Sequence, residues 1–220
     1  KNLVARGNYD DLKVIKKLSS LNVGYYVQSV PKGFGDAIAM VYPKLMSNKD
    51  NGKPYDGVVV ILGDDIIHSE TPCCKQLIPV HKKTGGMVVG VQEVSYEEAK
   101  KFGVVLIDHE CDSSELPDDF SGKKMYKVAG IEEKPDEPKP NIIDGKSKYY
   151  AILGRYVLND TDVGFLSEAN MTSGKELDFS SLFMKNIKEG HLYAVEIEGD
   201  WHTVGSPIAA QKTSIKYALS

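Results

Sequence analysis

Gly57-Val58-Val59-Val60-Ile61-Leu62-Gly63-Asp64-Asp65 is the stretch that decides the fold class. Its apolar residues run without a polar alternate, so both faces of the strand they predict are buried, as in the centre of a parallel sheet. The run is far too short to span a bilayer. It closes on a glycine and two acids. In open parallel sheets ligands bind beyond the carboxyl ends of the strands, which makes Asp64-Asp65 the first place to look for chemistry.

Outward from this strand, helical and extended patterns alternate, and the class they define is α/β. Upstream, Asp10-Asp11 opens a predicted helix with Val14, Leu18 and Leu21 on one face, and residues 23–28 read as a strand rich in Tyr and Val. Residues 35–46 carry Ile38, Val41, Tyr42 and Leu45 at helical spacing, and the turn-rich run 47–54 leads into the apolar strand. Downstream, a helix is predicted over 74–84 and a strand over 87–94. Ser95-Tyr96-Glu97-Glu98 has capping-box spacing for a helix through Phe102. Beyond Gly103, strands are predicted at 104–107, 125–131, 149–158 and 192–197, and helices at 178–189 and 207–219. The loop Asp136-Glu137-Pro138-Lys139-Pro140 interrupts them. No internal repeat is visible.

Composition narrows the function classes. Of the 220 residues, 41% are hydrophobic and 26% charged, the profile of a globular chain, and the net charge is −4. Phosphate-backbone binding needs clustered positive charge, so neither nucleic acid nor an anionic membrane is expected as a partner. Cys73, Cys74 and Cys111 make an odd count, and the first two are adjacent. Reduced thiols in a cytoplasm is the expectation. No cysteine or histidine spacing has the form of a zinc clip, and no zinc site is expected. Lys1 to Gly7 lack the apolar segment of a secretory signal. The opening Lys1-Asn2-Leu3, without an initiator methionine, is expected to continue something longer.

Three short motifs can carry chemistry. A carboxylate at Asp64-Asp65 can hold Mg²⁺ against substrate phosphates, although a solvated turn or helix cap would use the same residues. Lys32-Gly33-Phe34-Gly35-Asp36-Ala37 joins an extended segment to a helix, where backbone N–H groups can approach a nucleotide. It is neither a Walker loop nor a dinucleotide fingerprint, and a tight turn accounts for it equally well. In Glu132-Glu133-Lys134-Pro135 an acid can accept from sugar hydroxyls while the neighbouring ammonium meets a phosphate; the plainer alternative is a surface charge cluster. Cys73-Cys74 read as packing residues. The five histidines are scattered, with His202 beside Trp201 the only one near another candidate.

The order of the motifs is more specific than any one of them. Gln28 precedes Lys32-Gly33-Phe34-Gly35; then come Val60-Ile61-Leu62-Gly63-Asp64, Phe102-Gly103-Val104-Val105, Glu133-Lys134-Pro135 and Ala151-Ile152-Leu153-Gly154-Arg155-Tyr156-Val157-Leu158. Gly174-Lys175-Glu176-Leu177 and Trp201-His202-Thr203-Val204-Gly205 close the series. This succession resembles the bacterial UTP–glucose-1-phosphate uridylyltransferase family of sugar nucleotidyltransferases, from about Tyr25 to the end of the chain.

The resemblance implies a Rossmann-like mixed, mainly parallel sheet flanked by helices, in a single domain over 1–220. Residues 1–102 would form the nucleotide side and 103–220 the sugar-phosphate side with the C-terminal helices. It implies nucleotidyl transfer from UTP to glucose 1-phosphate, with Mg²⁺ as cofactor and UDP-glucose and pyrophosphate as products. By motif position, Gln28 and Gly33 would contact the uracil end and Asp64 would ligate the metal. Gly103 would line the glucose pocket, Glu133 would hold sugar hydroxyls, Lys134 would grip the sugar phosphate, and Gly154 and Tyr156 would border the sugar. Lys134 and Asp64 are the catalytic candidates.

Two departures from the family pattern set further expectations. The family's opening strand, Gly-Thr-Arg loop and later Pro-Lys pair do not occur ahead of Lys1, so the triphosphate cradle is expected to be missing and this chain alone to lack turnover. Where the closing motif normally carries an Asp two residues before its glycine, this chain has Thr203, with Asp200 out of register. A hydroxyl holds Mg²⁺ less strongly than a carboxylate. Thr203 therefore keeps open a second reading, a non-catalytic sugar-nucleotide binder acting as sensor or partner subunit. A metal-dependent glycosyltransferase ranks last, since Asp64-Asp65 lacks Asp-x-Asp spacing. Thymidylyl and guanylyl relatives share the layout. The apolar residues Ile208, Ile215 and Leu219 can serve a core or a homo-oligomer interface.

Overall fold

A computed structural model describes residues 9–52, 54–118, 120, 123–173 and 179–219. Packing divides the chain into two compact units, Lys1–Pro31 and Lys32–Ser220. In the first, helix α1 (Tyr9–Ser19) forms where Asp10-Asp11 predict it, with acids in its first turn and lysines in its last, as the helix dipole favours. Residues 23–28 are not a strand. Among the described residues they join no sheet.

In the second unit, the predicted helix 35–46 is two helices, α2 (Phe34–Ala39) and α3 (Tyr42–Asp50). Pro43 has no N–H to extend the first, but it fits the opening turn of the second. Strands β1 (Val58–Ile61) and β2 (Asp65–His68) follow, then α4 (Cys73–Thr84), β3 (Met87–Val94), α5 (Tyr96–Ala99) and β4 (Gly103–Glu110). Ser95 and Glu98 form the expected reciprocal capping box, but α5 stops at Ala99, short of Phe102. Next come β5 (Met125–Glu133), β6 (Asn141–Ile143), β7 (Lys146–Leu158), α6 (Asp160–Ser173), α7 (Ser180–Lys188), β8 (Leu192–Glu196), β9 (Asp200–Thr203) and α8 (Pro207–Leu219). Gly174-Lys175-Glu176-Leu177 and Asp178 lie outside the described residues.

The main sheet has strand order β1-β7-β3-β8-β5-β4, with β6 paired to β7 and β4 also touching β7. It is the expected mixed α/β sheet flanked by helices. Its pairing corrects the parallel bias: β3–β8 is parallel and the other described pairs are antiparallel, since β7 runs against β1, β3, β4 and β6, and β5 runs against β4 and β8. Likewise β1, expected at the centre of parallel neighbours, pairs among the described residues with β7 alone, and Ile61 is 56% exposed. Side chains alternate between two cores, one on each face. Met87, Val89 and Val91 of β3 join Leu45, Leu166 and Leu182 on one side, while Val88 joins Leu77 and Val80 of α4 on the other. Leu77 and Val80 are fully buried, and truncating such a leucine costs about 2–5 kcal/mol.

One irregularity positions the site. The β3–β7 register steps from Val89↔Tyr156 to Val91↔Ile152, so the segment 153–155 bulges. Gly154 sits there at φ +60, a conformation glycine adopts without a Cβ penalty. Its carbonyl accepts the Leu62 N–H at 3.0 Å, which fastens the end of β1 to the bulge.

Candidate functional site

The apolar strand ends at Ile61, and the chain turns through Gly63 and Asp64 into a two-stranded ribbon, β2 paired with β9. Buried Arg155 holds this turn by its backbone. Its Nη1 donates to the carbonyls of Leu62 and Gly154, each at 3.0 Å, and its Nη2 donates to the carbonyl of Asp65. The planar guanidinium suits such divergent acceptors better than an ammonium would. A Cβ at Gly154 would lie 2.5 Å from Asp65 Oδ2 and 2.9 Å from Leu62 Cβ, so the turn closes down on this glycine.

The paired acids of the turn differ in environment. Asp64 is exposed and faces a cavity of about 830 Å³. Asp65 accepts the Trp201 indole N–H at 2.7 Å. Burial raises the Asp65 carboxyl above its ordinary range; the Trp201 bond opposes that rise, and the Asp64 charge adds to it.

Across the cavity, β5 ends at Glu133 and the chain leaves it through Lys134, whose φ of 44° is rare for a side chain with a Cβ. The Lys134 N–H bonds the Phe102 carbonyl at 3.1 Å, and its ammonium stands 3.5 Å from the Glu133 carboxylate. Backbone strain of this kind collects at functional sites. Gly103 is opposite Glu133 in the β4–β5 register, and a Cβ there would meet Glu133 Oε2 at 2.9 Å. The glycine leaves the acid its room.

Asp64, Glu133, Lys134 and Tyr156 thus line one cavity. Gly103 and Gly154 lie directly behind it, against Glu133 and Asp65. Gly33 caps α2, whose first residue, Phe34, is in the cavity wall. Gln28 belongs to the unit Lys1–Pro31 and is described with that unit alone.

Of the aromatic side of the wall, the motifs marked Tyr156 and contained Phe34, but they did not point to Phe179 or Phe183. Phe34, Tyr156, Phe179 and Phe183 pack with ring centroids 4.8–6.2 Å apart. Burial pushes the Tyr156 phenol well up, with the Asp65 and Glu133 charges adding to the rise, so it stays a neutral hydroxyl. The role of Arg155 had a visible signal, the one charge in the stretch 149–158.

The closing motif does reach the turn. The Val204 N–H donates to the Asp64 carbonyl at 2.7 Å, and Thr203 faces Asp65 in the ribbon. The Thr203 hydroxyl stands 3.5 Å from the Asp64 carbonyl and accepts the Gly205 N–H at 3.3 Å. Asp200 pairs with His68 at the far end of the ribbon, roughly 10 Å along β9. The hard oxygen donors at the cavity's mouth fit Mg²⁺, which takes one or two carboxylates and completes its shell with phosphates and water.

A strand-tip acid, an acid–amine pair at the end of another strand and a bulged strand thus meet around one cavity. Residues 6–218 match the family model described as nucleotidyl transferase, and the chain belongs to that family. Its curated relatives place it beside the UTP–glucose-1-phosphate uridylyltransferases. The Staphylococcus epidermidis protein of that name is 31% identical over 218 residues, covering 97% of this chain and 66% of its own length. Uridylyltransferase 2 of Staphylococcus saprophyticus is 32% identical over 219 residues, 99% of this chain and 67% of its own. The chain therefore spans about two-thirds of the length of these relatives. A crystal structure of UDP-glucose pyrophosphorylase complexed with UDP-glucose superposes with TM-score 0.71 at 25% identity, over 97% of this chain and 72% of that one. The UTP-bound enzyme from Acinetobacter baumannii gives 0.73 at 17% identity, over 99% of this chain and 68% of that one, a likeness of fold.

Proposed function

We propose that the protein transfers a uridylyl group from UTP to glucose 1-phosphate, giving UDP-glucose and pyrophosphate. The observation that supports this most is the convergence of Asp64, Glu133 and Lys134 on one cavity. The sugar phosphate oxygen attacks the α-phosphorus of UTP. A new P–O bond forms, the bond to the β-phosphate bridge oxygen breaks, and its electron pair leaves with pyrophosphate. Such a reaction asks for alignment and charge neutralisation more than covalent chemistry.

Lys134 grips the phosphate of glucose 1-phosphate and holds its attacking oxygen in line, while Glu133 accepts from the sugar hydroxyls. Gly103 gives Glu133 its room. Gly154 and Tyr156 border the sugar, and the aromatic wall excludes water from it. Gly33, at the start of α2, meets the uracil end. Mg²⁺ is the cation we assign, held by Asp64 and by the substrate's phosphates, where it would offset charge on the departing pyrophosphate. Three free thiols agree with a cytoplasmic setting.

The test is calorimetry with UDP-glucose together with pyrophosphate release from UTP and glucose 1-phosphate. Lys134→Ala and Glu133→Gln should each weaken UDP-glucose binding about tenfold or more, the worth of one charge-assisted contact. Failure of the wild-type protein to bind UDP-glucose, or equal binding by both variants, would overturn the proposal. Thr203 favours a second reading, a sugar-nucleotide sensor without turnover. Binding indifferent to Mg²⁺, with no pyrophosphate released, would mark that case.

A further inference from the structure

At the other end of β4, roughly 20 Å from Gly103, the structure gathers three side chains that the sugar site does not use. His109, Cys111 and Glu115 bring one ligand atom each to within 4.8 Å of one another. Their spacing, His-x-Cys-x₃-Glu, is not that of a zinc clip, and only the fold brings them together. From this geometry we infer that His109, Cys111 and Glu115 form a binding site for a borderline divalent metal, with Zn²⁺ the best fit.

The donor set supports that choice. One thiolate, one imidazole and one carboxylate suit Zn²⁺ and are poor ligands for Mg²⁺ or Ca²⁺. His109 carries the outer support that zinc histidines use: its Nδ1 stands 2.9 Å from the Asp108 carboxylate, which fixes the proton there and leaves Nε2 to coordinate. That Nε2 is 3.9 Å from Glu115 Oε2. Glu115 is folded back onto Cys111 by a turn in which its carboxylate accepts the Asp112 N–H at 3.1 Å. Cys111 is itself anchored, its N–H donating to the Met125 carbonyl at 2.8 Å.

At zinc bond lengths, ligands around a tetrahedral ion lie roughly 3.3–3.7 Å apart. A separation of up to 4.8 Å needs about 1 Å of closure, which the half-exposed His109 ring can supply. Three protein ligands leave the fourth position to water. Burial, and after it the Glu115 charge, pushes the Cys111 thiol up to about 12, so the metal-free thiol is protonated. The incoming ion takes the sulfur lone pair, and that proton leaves to solvent. A bound ion would tie the turn carrying Glu115 to the end of β4.

Cobalt substitution tests the site. Co²⁺ added to the purified, metal-stripped protein should give an intense near-ultraviolet thiolate-to-cobalt band that Zn²⁺ bleaches stoichiometrically. Cys111→Ser should abolish the band, and His109→Gln, a change at an exposed ring that leaves the core intact, should weaken Co²⁺ binding at least tenfold. The double variant Cys73→Ser/Cys74→Ser should keep it. Absence of the band in the wild-type protein would overturn the inference. So would a band that survives in Cys111→Ser, or one that titrates identically in His109→Gln.

Discussion

Trp201 donates its indole N–H to the Asp65 carboxylate across 2.7 Å, joining β9 to the turn that carries Asp64. The ring also packs edge-on against Phe102, centroids 4.6 Å apart. Trp201→Phe keeps an aromatic ring there and deletes the donor. A half-buried carboxylate then loses a charge-assisted bond, and the expected destabilisation is about 1.5–3 kcal/mol. Trp201 is the only tryptophan, so urea unfolding of this variant is followed by circular dichroism. An unchanged midpoint would show that the bond contributes nothing net.

Asp65 also predicts a pH dependence. Its carboxyl is raised in the folded state, chiefly by burial. The folded protein therefore holds that proton more tightly than the unfolded chain does. Stability from this source is full below the unfolded value of about 3.9 and declines as pH rises through the folded value. Asp65→Asn keeps an oxygen for the Trp201 N–H and cannot ionise. Between about pH 4 and pH 7 its stability should fall less than that of the wild type. Parallel curves for the two proteins would assign the decline to another group.

Much of this architecture is legible in the chain. Strand β3 and helix α8 occupy the predicted 87–94 and 207–219, since each carries its own period and boundary residues. The acid–amine pair and the strand-tip aspartate were marked by their junctions with strand ends. The failures are tertiary in origin. The 23–28 segment has strand composition but joins no sheet among the described residues, and β2 and β9 are too short for a periodic signal. Helix α6 went unread because its apolar residues Val163, Phe165 and Leu166 sit among glycine and acids without a clear stripe. The cavity's aromatic wall is assembled from α2, β7, α7 and the residue before α7, distant segments that no local pattern relates.

Lys134 combines a strained backbone with the role we assign it. At φ 44° a residue with a Cβ pays about 1–2 kcal/mol that glycine does not, although glycine also gains freedom in the unfolded chain. Lys134→Gly should therefore gain roughly 0.5–1 kcal/mol of stability while losing UDP-glucose affinity. Thermal unfolding and calorimetry on one preparation read both. A variant that loses stability along with affinity would mean that the Lys134 side chain holds the loop.

Thr203 stands beside the Asp64 turn, its hydroxyl taken up by the Gly205 N–H. A carboxylate at this position can still accept that N–H through one oxygen and offer the other to a cation held by Asp64. It also adds a third carboxylate beside Asp64 and Asp65, a cost that a divalent ion would offset. Thr203→Asp should then make UDP-glucose binding depend more steeply on Mg²⁺, weaker than wild type in EDTA and equal or tighter at millimolar Mg²⁺. Calorimetry across a Mg²⁺ series distinguishes the outcomes. If the variant binds more weakly at every Mg²⁺ concentration, added charge at 203 only repels the phosphates, and Asp64 acts without a partner from β9.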